Sequence, residues 1–169
     1  IMHELVENTR IIGGVSNRAV AKAKELYKEF VNGSLYLTDA KTAEMVKLVE
    51  NSSRDAQLAF AHQVASMADK AGLNPYEVIE LANKHPRVNI LKPSAGVGGH
   101  CIAVDPWFLI ETFPEQTKLL QVARAINDNR PNTIIKKIET SVAKWQQVNE
   151  QKKCNVVLLG LTYKPDVDD

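Results

Sequence analysis

Residues 40–71 read AKTAEMVKLVENSSRDAQLAFAHQVASMADKA, and neither proline nor glycine interrupts them before Gly72. Asp39 stands directly before this stretch and is a favourable helix N-cap. The sequence therefore predicts one helix of about nine turns, at 3.6 residues per turn. Since the average helix has about three turns, such a length is typical of a helix that joins domains or packs against a partner.

Two faces of this predicted helix differ in character. On the polar face Lys47 and Asn51 lie one turn apart, and Glu44 and Arg54 continue the face. A solvated surface is the default explanation for it, although a lysine brought beside a developing oxyanion would serve catalysis. Apolar side chains recur at steps of three and four residues and predict one continuous buried stripe: Met45, Leu48, Val49, Ala56, Ala59, Phe60, Val64, Met67 and Ala71.

The chain before the long helix predicts a small strand–helix–strand unit. Residues 10–14 and 34–38 are short, largely apolar segments. Between them, residues 17–31 have helical spacing and follow Ser16, a favourable N-cap. Strands joined through a helix pair in parallel, so we expect a parallel pair here.

After the long helix, the sequence predicts further helices and one strand. Asn74 and Pro75 begin a helix that ends near residue 84, and others begin at Pro106, cover 115–128 and begin at Pro131. Residues 85–104 predict a loop, and residues 154–161, apolar on both faces, predict a central strand. The inward face of the 115–128 helix is predicted to hold Leu119, Leu120, Ala123 and Ile126. We predict a mainly α fold with α/β segments at either end.

Composition argues against several classes of protein. With 21 basic and 20 acidic side chains, the net charge of +1 gives no reason to expect binding to nucleic acid or to a membrane surface. No apolar run approaches the roughly 20 residues of a membrane span, and no signal-peptide pattern precedes the first element. We expect a cytoplasmic protein. Because the chain begins with Ile1 and ends soon after the predicted strand, we also expect it to be part of a longer one.

Cysteine and histidine usage is sparse. The cysteines are Cys101 and Cys154, and four histidines are scattered through the chain. We therefore expect no disulfide framework and no metal site, and a reducing compartment would suit a free thiol.

Residues 96–107, GVGGHCIAVDPW, hold the most chemically suggestive pattern. The glycines permit close approach to a ligand, and Asp105 with Pro106 predicts a helix start. Cys101 would then lie near a helix N-terminus, which favours a thiolate, so we interpret it as a nucleophile rather than a buried apolar residue. From spacing alone, Asp105 is equally compatible with a cap and with a residue that holds or activates water.

These glycines do not form a dinucleotide fingerprint, because they follow a loop rather than a strand and their spacing is displaced. We therefore expect no cofactor-binding residues within this chain. Arg87 and Lys92 flank the loop with positive charges that suit a phosphate-bearing ligand, although surface charge is the default explanation for each alone.

Three segments together carry a resemblance to a known family. Residues 96–108, with TAEMVKLVEN at 42–51 and GLTYKP at 160–165, resemble the UDP-glucose/GDP-mannose dehydrogenase family. The form HCIAVDPWF at 100–108, with ANKHPRVNIL at 82–91, is most similar to members that oxidise UDP-N-acetyl-D-mannosamine. The likeness covers essentially the whole chain.

The resemblance implies a domain organisation. Residues 1–38 would be the end of an NAD-binding Rossmann domain, 39–149 a central helical domain that dimerises through the 40–71 helix, and 150–169 the start of a UDP-binding Rossmann-like domain. NAD would bind mainly to the part of the first domain that this chain lacks, and the chain alone would be inactive.

The resemblance also implies residue roles. The family oxidises the C6 alcohol of a UDP-sugar to the uronate in two NAD-dependent steps, through a thiohemiacetal and a thioester on the position of Cys101. Lys47 matches the family's oxyanion-stabilising lysine, while Asn51 and Asp105 match its water-holding asparagine and its aspartate. The matching substrate contacts are Arg87, Lys92, Gly98, Tyr163 and Lys164.

The sequence leaves alternatives open for the substrate and for the class of function. Val104 stands where relatives acting on UDP-glucose commonly have lysine, which argues against UDP-glucose, but UDP-N-acetylglucosamine is also compatible. A different class of function is a non-catalytic helical oligomerisation module, for which the apolar stripe of the long helix would matter and Cys101 would be structural.

Overall fold

The computed structural model describes residues 2–150 and 152–160 and is mainly helical, as predicted. The elements are α1 (Met2–Glu7), β1 (Arg10–Gly14), α2 (Asn17–Lys28), β2 (Leu35–Asp39), α3 (Ala40–Lys70), α4 (Pro75–Ala82), α5 (Asp105–Thr112) and α6 (Lys118–Val148). The chain divides into two compact units, Ile1–Glu50 and Asn51–Asp169, and α3 begins in the first and continues into the second. The three-domain division at residues 38 and 149 stays a prediction.

The first unit contains the predicted parallel pair of strands. β1 and β2 are in register from Arg10 opposite Leu35 to Gly14 opposite Asp39. The Ser16 hydroxyl caps α2 by accepting the N–H of Ala19 at 3.2 Å. This helix ends three residues earlier than the predicted residue 31.

Helix α3 is the predicted long helix, and its ends follow the predicted chemistry. The Asp39 carboxylate accepts the N–H and the hydroxyl of Thr42 at 3.0 and 2.7 Å. These hydrogen bonds, the hydroxyl's first, lower the pKa of Asp39. At the other end Gly72 has a positive φ of 72°, where the left-handed conformation stops the helix.

The predicted burial of the apolar stripe on α3 is wrong in part. Ala59 and Val64 are buried, but Met45, Val49, Phe60 and Met67 are 40–61% exposed. The buried face instead combines mostly small apolar residues with three polar ones, of which Asp55 and His62 have partners on α6: Ser52, Asp55, Ala59, Ala61, His62, Val64, Ala65 and Ala68. Periodicity found the apolar face but could not tell which neighbour covers it.

The prediction of two helices over residues 115–128 and from Pro131 is wrong. A single helix, α6, runs through Pro131. A proline inside a helix loses one hydrogen bond and costs roughly 3 kcal/mol. The buried side chains in the turns before Pro131 help to offset this cost. The inward face also differs, because Leu119 is 72% exposed. The buried residues of α6 are Ala123, Arg124, Asn127 and Arg130.

The predicted strand at 154–161 is not formed in its described part. Residues 152–160 have no assigned secondary structure, and Val157, Leu158 and Leu159 are 76–94% exposed. An apolar run becomes a strand only when it pairs with a neighbour, and β1 and β2 pair with each other. Cys154 to Val156 instead border a cavity of about 610 Å³ beside the C-terminal half of α6. Leu161 lies outside the described residues.

A search of the described helices for membrane spans finds none that is both long enough and apolar enough.

Candidate functional site

The loop between α4 and α5 carries most of the predicted site residues. No helix or strand is assigned between residues 83 and 104, as predicted. Its first part is closed by Asn83, whose side chain donates to the carbonyl of Ile90 at 2.9 Å and accepts the Ile90 N–H at 2.7 Å. The loop therefore has defined anchor points.

Cys101 lies at the N-terminal end of α5 and is exposed. Its carbonyl accepts the N–H groups of Val104 at 3.0 Å and of Asp105, the first residue of α5, at 2.8 Å. Two residues earlier, Gly99 has a φ of 88°, a conformation that side chains other than glycine rarely adopt. The glycine thus allows the turn that brings Cys101 to the helix.

Asp105 is held by the long helix and does not cap α5. The N-cap is Val104, without a side-chain hydrogen bond, so the interpretation of Asp105 as a cap is wrong. Its Oδ2 instead accepts a hydrogen bond from Nδ2 of Asn51 at 2.5 Å. Asn51 is half-buried on α3, so two predicted site residues meet across 54 positions of sequence.

Lys47 lies on α3 one helical turn before Asn51. Its side chain is 63% exposed, and its Nζ is 3.9 Å from Oε2 of Glu50. An exposed pair at this distance contributes at most about 1 kcal/mol to stability. The ammonium group is therefore only weakly held and can turn towards a ligand.

Three of the predicted substrate-binding residues lie on the loop between α4 and α5. Arg87, Lys92 and Gly98 are all exposed positions of the 83–104 loop. For Arg87 the backbone N–H donates to Nδ1 of His85 at 3.3 Å. Tyr163 and Lys164 lie outside the described residues.

A cluster of buried polar side chains, which sequence reasoning missed, connects α3, the loop and α6. We call it the buried network: the buried Asp55, His62, Arg124, Asn127 and Arg130, with the exposed loop residue Ser94 joined to them. On α6, Arg124 donates to the Asp55 carboxylate at 2.6 Å, and it also pairs with the carboxylate of Asp128. Asn127 donates to the same Asp55 oxygen at 2.8 Å.

The loop side of the buried network consists of His62 and Arg130. The ring of His62 contacts Oδ1 of Asn127 at 2.9 Å and the backbone N of Ser94 at 3.2 Å. Arg130 Nε donates to the Ser94 carbonyl at 2.9 Å. The backbone of Ser94 is therefore bound on both its donor and its acceptor side.

Burial shifts the pKa values of two residues of the buried network, His62 and Asp55. It lowers the pKa of His62, because the charged ring loses hydration and Arg130 repels it, although the hydrogen bond with Asn127 opposes the change. Burial also raises the pKa of Asp55, against the hydrogen bond from Asn127 and the charge of Arg124.

A sequence signal for the buried network exists in hindsight. Arg124, Asn127 and Arg130 recur every three residues on one face of α6, and Asp55 and His62 are seven apart on α3. Such spacing is that of a buried stripe, but charged and amide side chains normally indicate a solvated face.

Among the described residues, no group of three or more histidine, cysteine or acidic side chains could hold a metal ion.

Comparison with known proteins identifies the family. Residues 41–129 match the central domain of the UDP-glucose/GDP-mannose dehydrogenase family. The chain belongs to this family. The UDP-glucose/GDP-mannose dehydrogenases similar to it include the UDP-N-acetyl-D-mannosamine dehydrogenase of Methanocaldococcus jannaschii, 52% identical over the whole chain and 38% of the relative.

Two further relatives extend the comparison. The NDP-N-acetyl-D-galactosaminuronic acid dehydrogenase of Ralstonia solanacearum is 44% identical over the whole chain and 38% of its own length. A solved UDP-N-acetyl-mannosamine dehydrogenase from S. aureus is 46% identical with a TM-score of 0.84, over the whole chain and 39% of its own. The chain thus spans less than half the length of these relatives. The family match and these identities confirm the resemblance found in its sequence.

Proposed function

We propose that this chain supplies the catalytic loop and the long helix of an NAD-dependent UDP-N-acetyl-D-mannosamine 6-dehydrogenase. The observation that carries the proposal is the bond between Asn51 and Asp105, next to the turn that places Cys101 at the start of α5. Relatives named for UDP-N-acetyl-D-mannosamine support the choice of substrate. Other UDP-N-acetyl sugars remain the alternatives.

Cys101 is the proposed nucleophile. Its sulfur adds to the C6 aldehyde formed in the first oxidation, which gives a thiohemiacetal as the S–H proton passes to the oxygen. Loss of a hydride from C6 and of the hydroxyl proton to water then leaves a thioester. Water cleaves the carbon–sulfur bond, which releases the uronate and restores the thiol. Sulfur suits these steps because it adds readily and leaves well.

Three side chains support this chemistry. Lys47 stabilises the negative charge that develops on the C6 oxygen, which its exposure and weak pairing with Glu50 permit. Asn51 and Asp105 hold the hydrolytic water, and their mutual hydrogen bond limits the orientations that both can adopt.

The substrate and the cofactor involve residues on both sides of this site. Arg87, Lys92 and Gly98 are proposed to contact the sugar nucleotide from the loop, and Tyr163 and Lys164 its uridine and phosphates. NAD, when bound to the full-length protein, would supply the hydride acceptor for both oxidations. The described strand-to-helix turn after β1 borders a cavity of about 650 Å³, but its sequence, Gly13-Gly14-Val15-Ser16, is not a dinucleotide fingerprint. We place the NAD site in a part of the protein outside this chain, which by itself does not turn over.

The chain is also proposed to form a homodimer through α3. The exposed apolar side chains of Met45, Val49, Phe60 and Met67 lie within about 40° of a common line along the helix, at 100° per residue. A second copy of the same surface would cover them. Because a reducing compartment suits a free thiol, the proposed location is the cytoplasm.

The catalytic proposal is tested by replacing Cys101 in the full-length protein. Cys101→Ser is expected to abolish formation of NADH from UDP-N-acetyl-D-mannosamine, since an alkoxide leaves far less well than a thiolate. Cys154→Ser is the matched control and should keep wild-type turnover. Normal NADH formation by Cys101→Ser would refute the covalent mechanism.

A further inference from the structure

The direction of the hydrogen bonds in the buried network determines the tautomer of His62. A backbone N–H can only donate, so Nε2 of His62 accepts the hydrogen bond from Ser94 at 3.2 Å. A neutral imidazole carries one proton, which must then lie on Nδ1 and be donated to Oδ1 of Asn127 at 2.9 Å.

The orientation of Asn127 agrees with this assignment. Its Nδ2 donates to the carbonyl of Asp55 at 2.9 Å and to the Asp55 carboxylate at 2.8 Å, so its oxygen faces His62. Both side chains are at most 2% exposed. Hydrogen-bond donation therefore runs from Ser94 to His62, from His62 to Asn127 and from Asn127 to Asp55. This direction requires a neutral His62.

Ser94, at one end of this series of hydrogen bonds, lies on the loop that leads to Cys101. Ser94 is also held by Arg130 on its carbonyl, and its hydroxyl donates to the carbonyl of Gly96 at 2.5 Å. Gly96 itself lies against α6, since a Cβ there would be 3.3 Å from Cγ of Pro131. The loop is therefore anchored at residues 94–96 and again at Cys101, with residues 97–100 spanning the interval.

We propose that His62 and Asn127 are positioning residues that hold the glycine loop in place through the backbone of Ser94, and thereby aim Cys101. Neither side chain is proposed to contact the substrate. The consequence for turnover rests on the function proposed above, whereas the consequence for the loop does not.

Two substitutions at His62 separate positioning from general stability. In His62→Gln the side-chain oxygen can occupy the place of Nε2 and accept from Ser94, while the bond to Asn127 is lost. In His62→Asn the amide can replace Nδ1 and donate to Asn127, while the bond to Ser94 is lost. Each variant thus keeps one side of the ring's contacts and loses the other, and His62→Asn also loses the 3.2 Å contact with the Ser94 hydroxyl. The two variants serve as controls for each other.

The first measurement is amide hydrogen exchange of Ser94 in the full chain without ligand. Exchange is expected to be about fivefold faster in His62→Asn than in His62→Gln, as the loss of one ordinary hydrogen bond implies. Equal exchange of Ser94 in the two variants would overturn the positioning proposal, whatever the activity of the protein.

The second measurement is turnover of the full-length protein. His62→Asn should lower kcat with little change in KM, whereas His62→Gln should keep most of the wild-type kcat. The two variants should have similar Tm values. Should both variants fail to fold, Ser94→Ala removes the hydroxyl, which bonds to the Gly96 carbonyl at 2.5 Å and contacts Nε2 of His62 at 3.2 Å, and should lower kcat at an unchanged Tm. Unchanged kcat in the folded variants would contradict the aiming of Cys101, whereas activity of Cys101→Ser would instead refute the proposed function.

Discussion

Asn51 and Asp105 illustrate how one residue obtains its role from an element distant in sequence. Asp105 stands where a helix cap is common, yet its carboxylate accepts from α3 rather than from its own helix. A side chain that accepts a hydrogen bond from a neighbouring helix is oriented by that helix. The same holds for Cys101, whose backbone is bound by the first turn of α5.

The pair of Asp55 and Arg124 leads to a prediction at the residue scale. Both side chains are at most 3% exposed. Arg124→Met should lower the free energy of unfolding by about 3–5 kcal/mol, because it leaves a buried carboxylate without its partner charge. Urea unfolding of the full chain measures the change.

The matched control for this change is Lys84→Met. Lys84 forms an ion pair with Glu80 at 3.5 Å, but both side chains are at least 70% exposed. Loss of this ion pair should lower the free energy of unfolding by less than about 1 kcal/mol. Similar losses for the two variants would show that the buried pair does not stabilise the protein.

At the scale of elements, α3 and α6 show what sequence patterns can and cannot predict. α3 was predicted to within one residue of its end, because its cap and its glycine stop are local signals. For α6 the local signal was misleading. Pro131 in isolation indicates a helix start, whereas the helix continues through it, with Asn127 and Arg130 buried in the turn before the proline. Such tertiary bonds cannot be read from periodicity.

The exposed apolar face of α3 gives a prediction about assembly. Phe60→Glu should convert a dimer of the full chain to a monomer, because it places a charge within the proposed contact. Arg54→Glu lies about 120° around the helix, at 100° per residue, and should leave the dimer intact. Sedimentation velocity measures both. A monomeric wild-type chain, or a Phe60→Glu variant as dimeric as the wild type, would contradict the proposed contact.

For the whole molecule, the sequence predicted the class of fold, the loop and the proposed nucleophile, but not the network that holds the loop. Motifs such as GVGGHC are contiguous, so a resemblance can locate them. The buried network joins side chains up to 72 positions apart. Each of its polar residues resembles a surface residue until its partner is known.

The neutral state of His62 gives a prediction for the stability of the whole chain. Because burial lowers its pKa below the usual value of about 6.5, the unfolded state binds a proton at a higher pH than the folded state. Above about pH 6.5 this residue adds no pH dependence, and as the pH falls below that value it destabilises the fold. Between about pH 7.5 and 5.5, the wild type should therefore lose more stability than His62→Gln.

The charged network groups near His62 are Asp55 and Arg130, and both are retained in this variant. Asp55, whose pKa is raised, acts in the opposite direction on acidification, but equally in both proteins. His3→Gln, at an exposed position, is the control for the removal of a histidine from the surface. Parallel pH dependences for the wild type and His62→Gln would show that His62 is not held neutral.

The central claim is that Cys101 carries the sugar during oxidation, and it is tested most directly by mapping the covalent intermediate. Asp105→Asn in the full-length protein should slow hydrolysis, so that NADH forms in a burst and the thioester accumulates. Mass spectrometry of the acid-quenched protein should then find the uronyl adduct on the peptide with Cys101 and none on the peptide with Cys154. Formation of NADH with Cys101 unmodified at every time would contradict the account.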